Sequence, residues 1–352
     1  MAEKLRFGIV GCGVIGPTHA AALASLSDDA VLVAAADIVP EKAQAFAEKY
    51  HCKAYSSLEE MLESEQLDVV DVCVPSGLHG ELACKVMRSG RHVIVEKPME
   101  ITHERIEEML RVQRETGRKM AVISQHRFDD AAVQIHKLVQ ENAFGRLVLG
   151  NAAIPWWRSQ KYYDSGAWRG TWALDGGGIL MNQSIHSIDV LQWLMGPVKS
   201  IRAYTDTLVH KMETEDVAVA VLRFENGALG TISATTGGYP GATTRIEIFG
   251  DRGSAIIEND RLGYLHLARD DAEEIGPYGG AKRQTGAGEE GGATASDPAA
   301  LKASTHAMQI ADMINAIRED KQPAIYGELA RHPVDIILGV YESARTGKEV
   351  TL

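Results

Sequence analysis

Gly11, Gly13 and Gly16 stand in a G-x-G-x-x-G spacing between an apolar run, Leu5 to Val10, and a helical pattern beginning near Ile15. In that setting each glycine has a task. The first permits a tight strand-to-helix turn, the second lets the backbone approach a pyrophosphate, and the third lets the helix pack close against the strand. Amides at the helix start, where Val14 and Ile15 lie, then face phosphate, and the helix dipole favours the negative charge. Asp37 ends a second apolar run, Val31 to Ala36. It lies about 20 residues beyond the glycines, where a carboxylate accepts hydrogen bonds from ribose hydroxyls. The same carboxylate repels a 2′-phosphate, and Ile38 and Val39 offer no cation for one, so NAD is favoured over NADP. The bland alternative is a glycine turn followed by a solvated aspartate.

Glu96-Lys97-Pro98 follows another apolar strand run, His92 to Val95. In an open α/β sheet the ligand crevice lies at the carboxyl ends of the strands. A lysine placed there by a proline projects toward that crevice and can polarise a substrate oxygen or carry a proton; otherwise it is a surface lysine at a strand end. Further on come Trp156-Trp157-Arg158, Tyr162-Tyr163 and Trp168-Arg169-Gly170-Thr171-Trp172. Clustered aromatics with interspersed polar groups suit sugar rings, whose C–H faces stack on indole while their hydroxyls seek directional partners. Arg158, Tyr163 and Trp172 are therefore a candidate substrate set, with core or subunit-interface packing as the competing reading. Arg158, Lys161 and Arg169 also suit a carboxylate or phosphate, which keeps a sugar acid or nucleotide sugar open.

These residues need a scaffold. From Leu5 to Ser124, strand runs (Leu5–Val10, Val31–Ala36, Val69–Val74, His92–Val95, Met120–Ser124) alternate with helical patterns. Such alternation predicts a Rossmann-type, doubly wound parallel sheet over residues 1–124. After a helix near Asp129 to Glu141 the pattern changes to strands near 146–154, 198–208, 216–224, 228–236, 244–249 and 254–258. Turn signals stand at Asn226-Gly227 and Asp251-Arg252-Gly253. The expectation for residues 125–352 is an α+β domain with a large, open, mainly antiparallel sheet and a helix from Met181 to Leu194 on one face. Two more helices, 304–319 and 330–345, close the chain and can pack back on the first domain. The Gly-, Ala- and acid-rich stretch Asp270 to Asp297 reads as a long loop. A sheet covered on one side leaves an apolar face, which predicts a homodimer or homotetramer through it.

Gly11 to Gly16, Pro75-Ser76-x-x-His79, Gly90-Arg91-His92-Val93 and Glu96-Lys97-Pro98 together resemble the glucose-fructose oxidoreductase/inositol dehydrogenase/MocA family, over nearly the whole chain. The resemblance implies a catalytic lysine at Lys97 and cofactor contacts from Pro75, Ser76, His79 and Glu96. It also implies that the helix starting Gly176-Gly177-Gly178 faces the nicotinamide. Asn182, His186 and Asp189 share one face of that helix. His186 falls on the family's histidine, whereas Asn182 occupies the position of its usual aspartate. An amide orients the ring but contributes no full charge. Proton transfer then leans on Lys97, with Asp189, one turn beyond His186, as a second source of charge. Arg127, in Gln125-His126-Arg127-Phe128, corresponds to an arginine frequent in the family and is expected at the substrate; an interdomain hydrogen-bonding role is its alternative. The implied function is an NAD-dependent dehydrogenase for a secondary alcohol of a sugar, glycoside, sugar acid or cyclitol. The alternatives are a redox-type glycosidase that uses NAD transiently and a non-catalytic NAD- and sugar-sensing regulator.

A chain of 352 residues with a formal net charge of −12 is large enough for two domains and lacks the basic surface that nucleic acid or an anionic membrane would require. Met1-Ala2-Glu3-Lys4 leads into the first strand without a charged-then-apolar leader, so a cytoplasmic protein is expected. The four cysteines, Cys12, Cys52, Cys73 and Cys84, have no C-x-x-C pair; free thiols are expected and a metal site is not.

Overall fold

The computed structural model describes residues 3–268 and 303–352. The Asp270–Asp297 stretch lies outside the described residues. The chain divides into two compact units, neither of them one continuous stretch. The first comprises Met1–Gln125, Thr171–Gly177 and Ala299–Val334, and the second His126–Gly170, Gly178–Pro298 and Asp335–Leu352.

In the first unit, strands β1 (Leu5–Val10), β2 (Ala30–Ala36), β3 (Lys53–Tyr55), β4 (Val69–Val72), β5 (His92–Val95) and β6 (Met120–Val122) form a parallel sheet in the order β3-β2-β1-β4-β5-β6. Helices α1 (Gly16–Ser25), α2 (Pro40–Tyr50), α3 (Leu58–Ser64), α4 (His79–Arg88) and α5 (His103–Thr116) connect them. The strand order reverses beside β1, which places the switch point of the sheet at the glycine turn. Strands such as Val69–Val72 are buried along their length, as a sheet covered on both faces requires. The helix Ala303–Arg318 also belongs to this unit. Ile310, Met313 and Ile314, spaced for one helical face, join Phe7, Ile9, Leu23 and Ile94 in a single core cluster. Each such side chain stabilises the unit by roughly 2 kcal/mol. Gln309 on the same helix accepts from the Ser124 amide and donates to the Val122 carbonyl, at 3.0 and 2.5 Å, so that polar groups at the end of β6 are satisfied.

The second unit contains α6 (Asp130–Gln140), β7 (Leu147–Pro155), α7 (Gln160–Asp164), a π-helical stretch Ile179–Ser184 continued as α8 (Ile185–Met195), and strands β8 (Val198–Asp206), β9 (Val217–Phe224), β10 (Leu229–Thr235), β11 (Arg245–Gly250), β12 (Gly253–Glu258), β13 (Arg261–Leu267) and β14 (Val350–Thr351). The sheet order is β13-β12-β11-β7-β10-β9-β8-β14. Only β7 and β10 pair parallel; the other neighbours are antiparallel. Strand β9 shows why one face is covered: Ala218, Ala220, Leu222 and Phe224 are buried, while Val219, Val221 and Arg223 between them are exposed. Gly150 on β7 makes room for α8, since a Cβ there would lie 2.6 Å from Met195 Cγ. On the opposite face Tyr204, Val219, Val221 and Leu229 are open, Tyr204 to 74%.

Three strands, Lys53–Tyr55, Arg261–Leu267 and Val350–Thr351, were not expected from the sequence. Two are too short to show a period, and the third is broken by Gly263 and carries a charge at its start. The helix expected from Met181 starts at Ile179, and its first turns are π-helical. No helix among the described residues is long and apolar enough to cross a membrane.

Candidate active site

The expected site residues fall in two sets, one in each unit. In the first unit the three glycines behave differently. Gly11 has φ +98°, and a Cβ on it would lie 2.3 Å from the Cys73 carbonyl oxygen. On Gly16 a Cβ would meet the Gly11 carbonyl oxygen at 2.6 Å and the Phe46 ring at 3.3 Å. Gly13 is exposed, with nothing within 4 Å of the corresponding point. Two glycines are thus demanded by the protein's own packing, and the middle one leaves open the space a pyrophosphate needs. Helix α1 follows Ile15 at its N-cap, with no side-chain cap and no acidic residue in its first turn, so its N-terminal amides are left for an outside anion.

Asp37 is oriented rather than loose. Its Oδ2 accepts from the Cys12 amide and its Oδ1 from the Val39 amide, both at 2.9 Å, so the glycine loop and the end of β2 hold one another. Ile38 and Val39 are exposed beside it and carry no cation. The cradle, the bare helix start and the acceptor therefore fit NAD, which Val14, Ile15 and Gly16 would hold at its pyrophosphate and Asp37 at its ribose.

Lys97 is half-buried immediately after β5 and precedes a cis Pro98. Its amide donates to Glu96 Oε2 at 3.1 Å. Pro75 is half-buried and Ser76 buried at the turn after β4. His79 and Glu96, both expected at the cofactor, are buried and held by protein groups. The His79 ring nitrogens lie 2.7 Å from the Pro98 carbonyl oxygen and 2.9 Å from that of Val74, so the ring ties the Pro75 loop to the Lys97 loop. Glu96 Oε1 lies 2.9 Å from His19 Nε2. Trp172, half-exposed, belongs to this unit rather than to the one that holds the other aromatics.

In the second unit the helix Ile179–Met195 carries the family histidine. Every residue from 179 to 192 is buried except Asn182 and His186, which are therefore the two polar groups this stretch presents. A carboxylate holds the start of the helix. Glu215 Oε2 accepts from the Gly178 amide at 3.0 Å, and its Oε1 accepts from the Leu180 amide and the Tyr341 hydroxyl, both at 2.9 Å. Burial pushes the Glu215 carboxyl up to about 7, against the pull of these donors. A Cβ on Gly178 would lie 1.9 Å from the Glu215 carbonyl oxygen, so no larger residue fits there.

Asp189 does not back His186 with a free charge. Both of its oxygens are taken by Arg127, at 2.8 and 2.6 Å in a buried bidentate pair, which also removes Arg127 from the substrate set. Its guanidinium packs over Trp193. The ring beside His186 is that of His126, edge-on at 5.0 Å between centroids. Burial opposes a proton on His126, but Asp260 and Asp129, the latter 2.6 Å from Nδ1, raise its affinity for one.

Tyr163 is also a core residue. It is buried, and its hydroxyl bonds Thr236 Oγ1 at 2.7 Å. Its neighbour Tyr162, which the sequence did not single out, is the hub. The Tyr162 hydroxyl accepts from Gln183 Nε2 at 2.6 Å and from Arg169 at 2.7 Å. Arg158 donates to Gln183 Oε1 at 3.0 Å, and its guanidinium lies over Trp156. Gln183 reaches Asn182 Oδ1 at 3.3 Å. A chain of two arginines, an aromatic hydroxyl and an amide thus runs to Asn182. Glu215 escaped the sequence reading because its amide partners lie 35 and 37 residues away, and Tyr162 and Gln183 because they meet across 21 residues; only the position of Gln183 beside Asn182 gave a local signal.

Comparison with known proteins gives the family. The sequence model for an oxidoreductase family with an NAD-binding Rossmann fold, GFO/IDH/MocA, matches residues 5–124. That for the GFO/IDH/MocA C-terminal domain matches residues 132–256. The WlbA dehydrogenase of Bordetella pertussis, solved in complex with NADH and UDP-GlcNAcA, is 33% identical, with 99% of each chain covered and a TM-score of 0.86. Inositol 2-dehydrogenase of Rhizobium meliloti is 29% identical over 273 residues, 76% of this chain and 79% of its own. D-glucoside 3-dehydrogenase of Escherichia coli is 29% identical over 249 residues, 67% and 68% of the two chains.

Proposed function

The chain belongs to the GFO/IDH/MocA family of oxidoreductases, and from that premise we propose an NAD-dependent dehydrogenase that oxidises a secondary hydroxyl of an anionic sugar, either a sugar acid or a nucleotide sugar. The observation that carries the choice is the chain from Arg158 and Arg169 through Tyr162 and Gln183 to Asn182. It brings two guanidinium groups into the hydrogen-bond network of the polar face that holds His186. Arginine suits carboxylate and phosphate oxygens. The relative solved with UDP-GlcNAcA, matched along the whole chain, supports the same substrate class.

Lys97 belongs to the first unit with the glycine turn and Asp37, and Asn182 and His186 belong to the second. NAD, when bound, is the two-electron oxidant for the substrate carbon. Lys97 Nζ donates to the reacting oxygen and stabilises the negative charge that develops there. Lys97 and His186 together handle the hydroxyl proton, and Asn182 orients the ring or the substrate without adding charge. The open sheet face with Tyr204, Val219, Val221 and Leu229 pairs copies of the chain. Four free cysteines fit a reducing compartment such as the cytoplasm.

The test is NADH formation by the purified protein with NAD and a panel of nucleotide-sugar acids, free sugar acids, inositols and glucosides. Turnover confined to the anionic members supports the proposal, and turnover of inositols or glucosides alone overturns the substrate class. Lys97→Met should lower kcat by about 10²-fold or more; unchanged turnover would remove the lysine from the mechanism.

A further inference from the structure

One buried polar cluster in the first unit meets the site as described only at Glu96. His19, in the first turn of α1, lies between two carboxylates, with Nδ1 2.8 Å from Asp71 Oδ2 and Nε2 2.9 Å from Glu96 Oε1. His306, on the helix Ala303–Arg318, places its Nε2 3.5 Å from the same Glu96 oxygen. The two imidazoles meet edge-on at 5.5 Å, and all four side chains are buried.

With a carboxylate on each ring nitrogen, His19 carries both protons. Burial opposes that charge, but the surrounding groups outweigh it and raise the ring's affinity for its proton well above the ordinary. Burial likewise disfavours ionised Glu96, yet His19 and His306 hold it well below the usual carboxylate range. Asp71 is pushed up by burial in spite of its bond to His19. Cys73 is the remaining titratable neighbour, its thiol raised by burial to about 11.

Such a cluster is a poor device for stability alone. Two of its buried atoms, Asp71 Oδ1 and His306 Nδ1, have no hydrogen-bond partner, and well-packed apolar side chains often replace buried ion pairs at no loss. Its connections show what else it does. Glu96 has one oxygen on the two histidines and the other on the Lys97 amide. His19 belongs to the helix whose bare N-terminus faces the dinucleotide site.

We propose that His19 and His306 are positioning residues for Lys97. Together they hold Glu96 in the orientation in which its second oxygen fixes the Lys97 peptide, and His19 couples that peptide to α1. The proposal rests on the dehydrogenase reading only for the task of Lys97, and its test has a readout independent of turnover.

Lysine reactivity in the cofactor-free protein can be read by labelling with limiting acetic anhydride and mass spectrometry. His306→Leu removes the donor, whereas His306→Gln keeps an N–H near the Nε2 position. Labelling of Lys97 relative to the exposed Lys4 and Lys137 should change in His306→Leu and return in His306→Gln. With NAD and substrate, His306→Leu should lose about tenfold or more in kcat with little change in KM for NAD, since displacement of a reacting group by an ångström is that costly. His19→Leu should alter Lys97 labelling and KM for NAD together. If His306→Leu does not fold, Asp71→Asn, which removes a charge at constant shape, provides the same labelling comparison. Unaltered Lys97 labelling in a folded variant, or no recovery in His306→Gln, overturns the proposal. Absence of turnover by the wild type would defeat the dehydrogenase reading, while the labelling result would still decide this one.

Discussion

Two helices here start from glycine-rich turns, and they treat their N-terminal amides in opposite ways. Helix α1, after Gly11-x-Gly13-x-x-Gly16, has no side-chain cap, and Gly13 keeps open space before it. The helix after Gly176-Gly177-Gly178 is filled by the protein's own carboxylate, with Glu215 on the Gly178 and Leu180 amides. The physics is common to both, since a helix N-terminus favours negative charge. The difference is whether the acceptor is part of the chain, as the Glu215 carboxyl is, or arrives with a ligand. A filled start fixes where Asn182 and His186 stand, and a bare start waits for phosphate.

The comparison breaks most severely at Gly178. Ala at this position would place a Cβ 1.9 Å from a backbone oxygen, and no side-chain movement relieves that. A loss of about 4 kcal/mol or more is expected, measured as a collapse of the urea midpoint or of soluble yield. Gly178→Ala with wild-type stability would show that the filled start is not rigid.

Glu215 sharpens the same point through pH. Its folded-state value of about 7 stands above an ordinary 4.5. A carboxyl raised on folding contributes stability that is complete below the unfolded value and is lost as pH rises through the folded one. Between pH 4.5 and 7 the protein should therefore lose on the order of 3 kcal/mol from this group, at about 1.4 kcal/mol per unit. Glu215→Gln should flatten that part of the stability profile. An unchanged slope would place the titration elsewhere.

At the bare start the expected effect is smaller and falls on the ligand. Gly13→Ala should leave the melting temperature without NAD within about a degree or two, because the added methyl meets nothing within 4 Å. It should weaken NAD about tenfold by crowding the pyrophosphate. Isothermal titration would show it, and equal affinity in the variant would mean the phosphates lie elsewhere. The smallest change is Asn182→Asp. A carboxylate beside His186 favours the imidazolium, so the acidic limb of kcat/KM should move up by about one pH unit. An unmoved limb would separate the two side chains.

The bare start was legible in the sequence because all its parts are local. Glycine spacing, the apolar strand and Asp37 lie within about 33 residues, from Leu5 to Asp37, and the parallel sheet follows from the same alternation. The filled start was not, because Glu215 acts from 37 residues away and a lone glutamate before a strand carries no sign of its target. The same reason hid the Arg127–Asp189 pair, so that both residues looked available for substrate. Tyr163 was assigned to the sugar because clustered aromatics look alike whether open or buried; its bond to Thr236 is a tertiary fact. His306 stands at the far end of the chain, and only folding brings it to Glu96.

The π-helical turn at Ile179–Ser184 has a consequence for how this enzyme tolerates insertions and deletions. A single-turn π segment behaves as one residue inserted into an α-helix, frequently at a functional site. Each α-helical residue turns the chain by about 100°. Removing Leu180 or Met181 would therefore restore a regular helix and turn Asn182 and His186 relative to the start held by Glu215, although every side chain named in the mechanism would still be in the sequence. The helix records length as strictly as it records residue type.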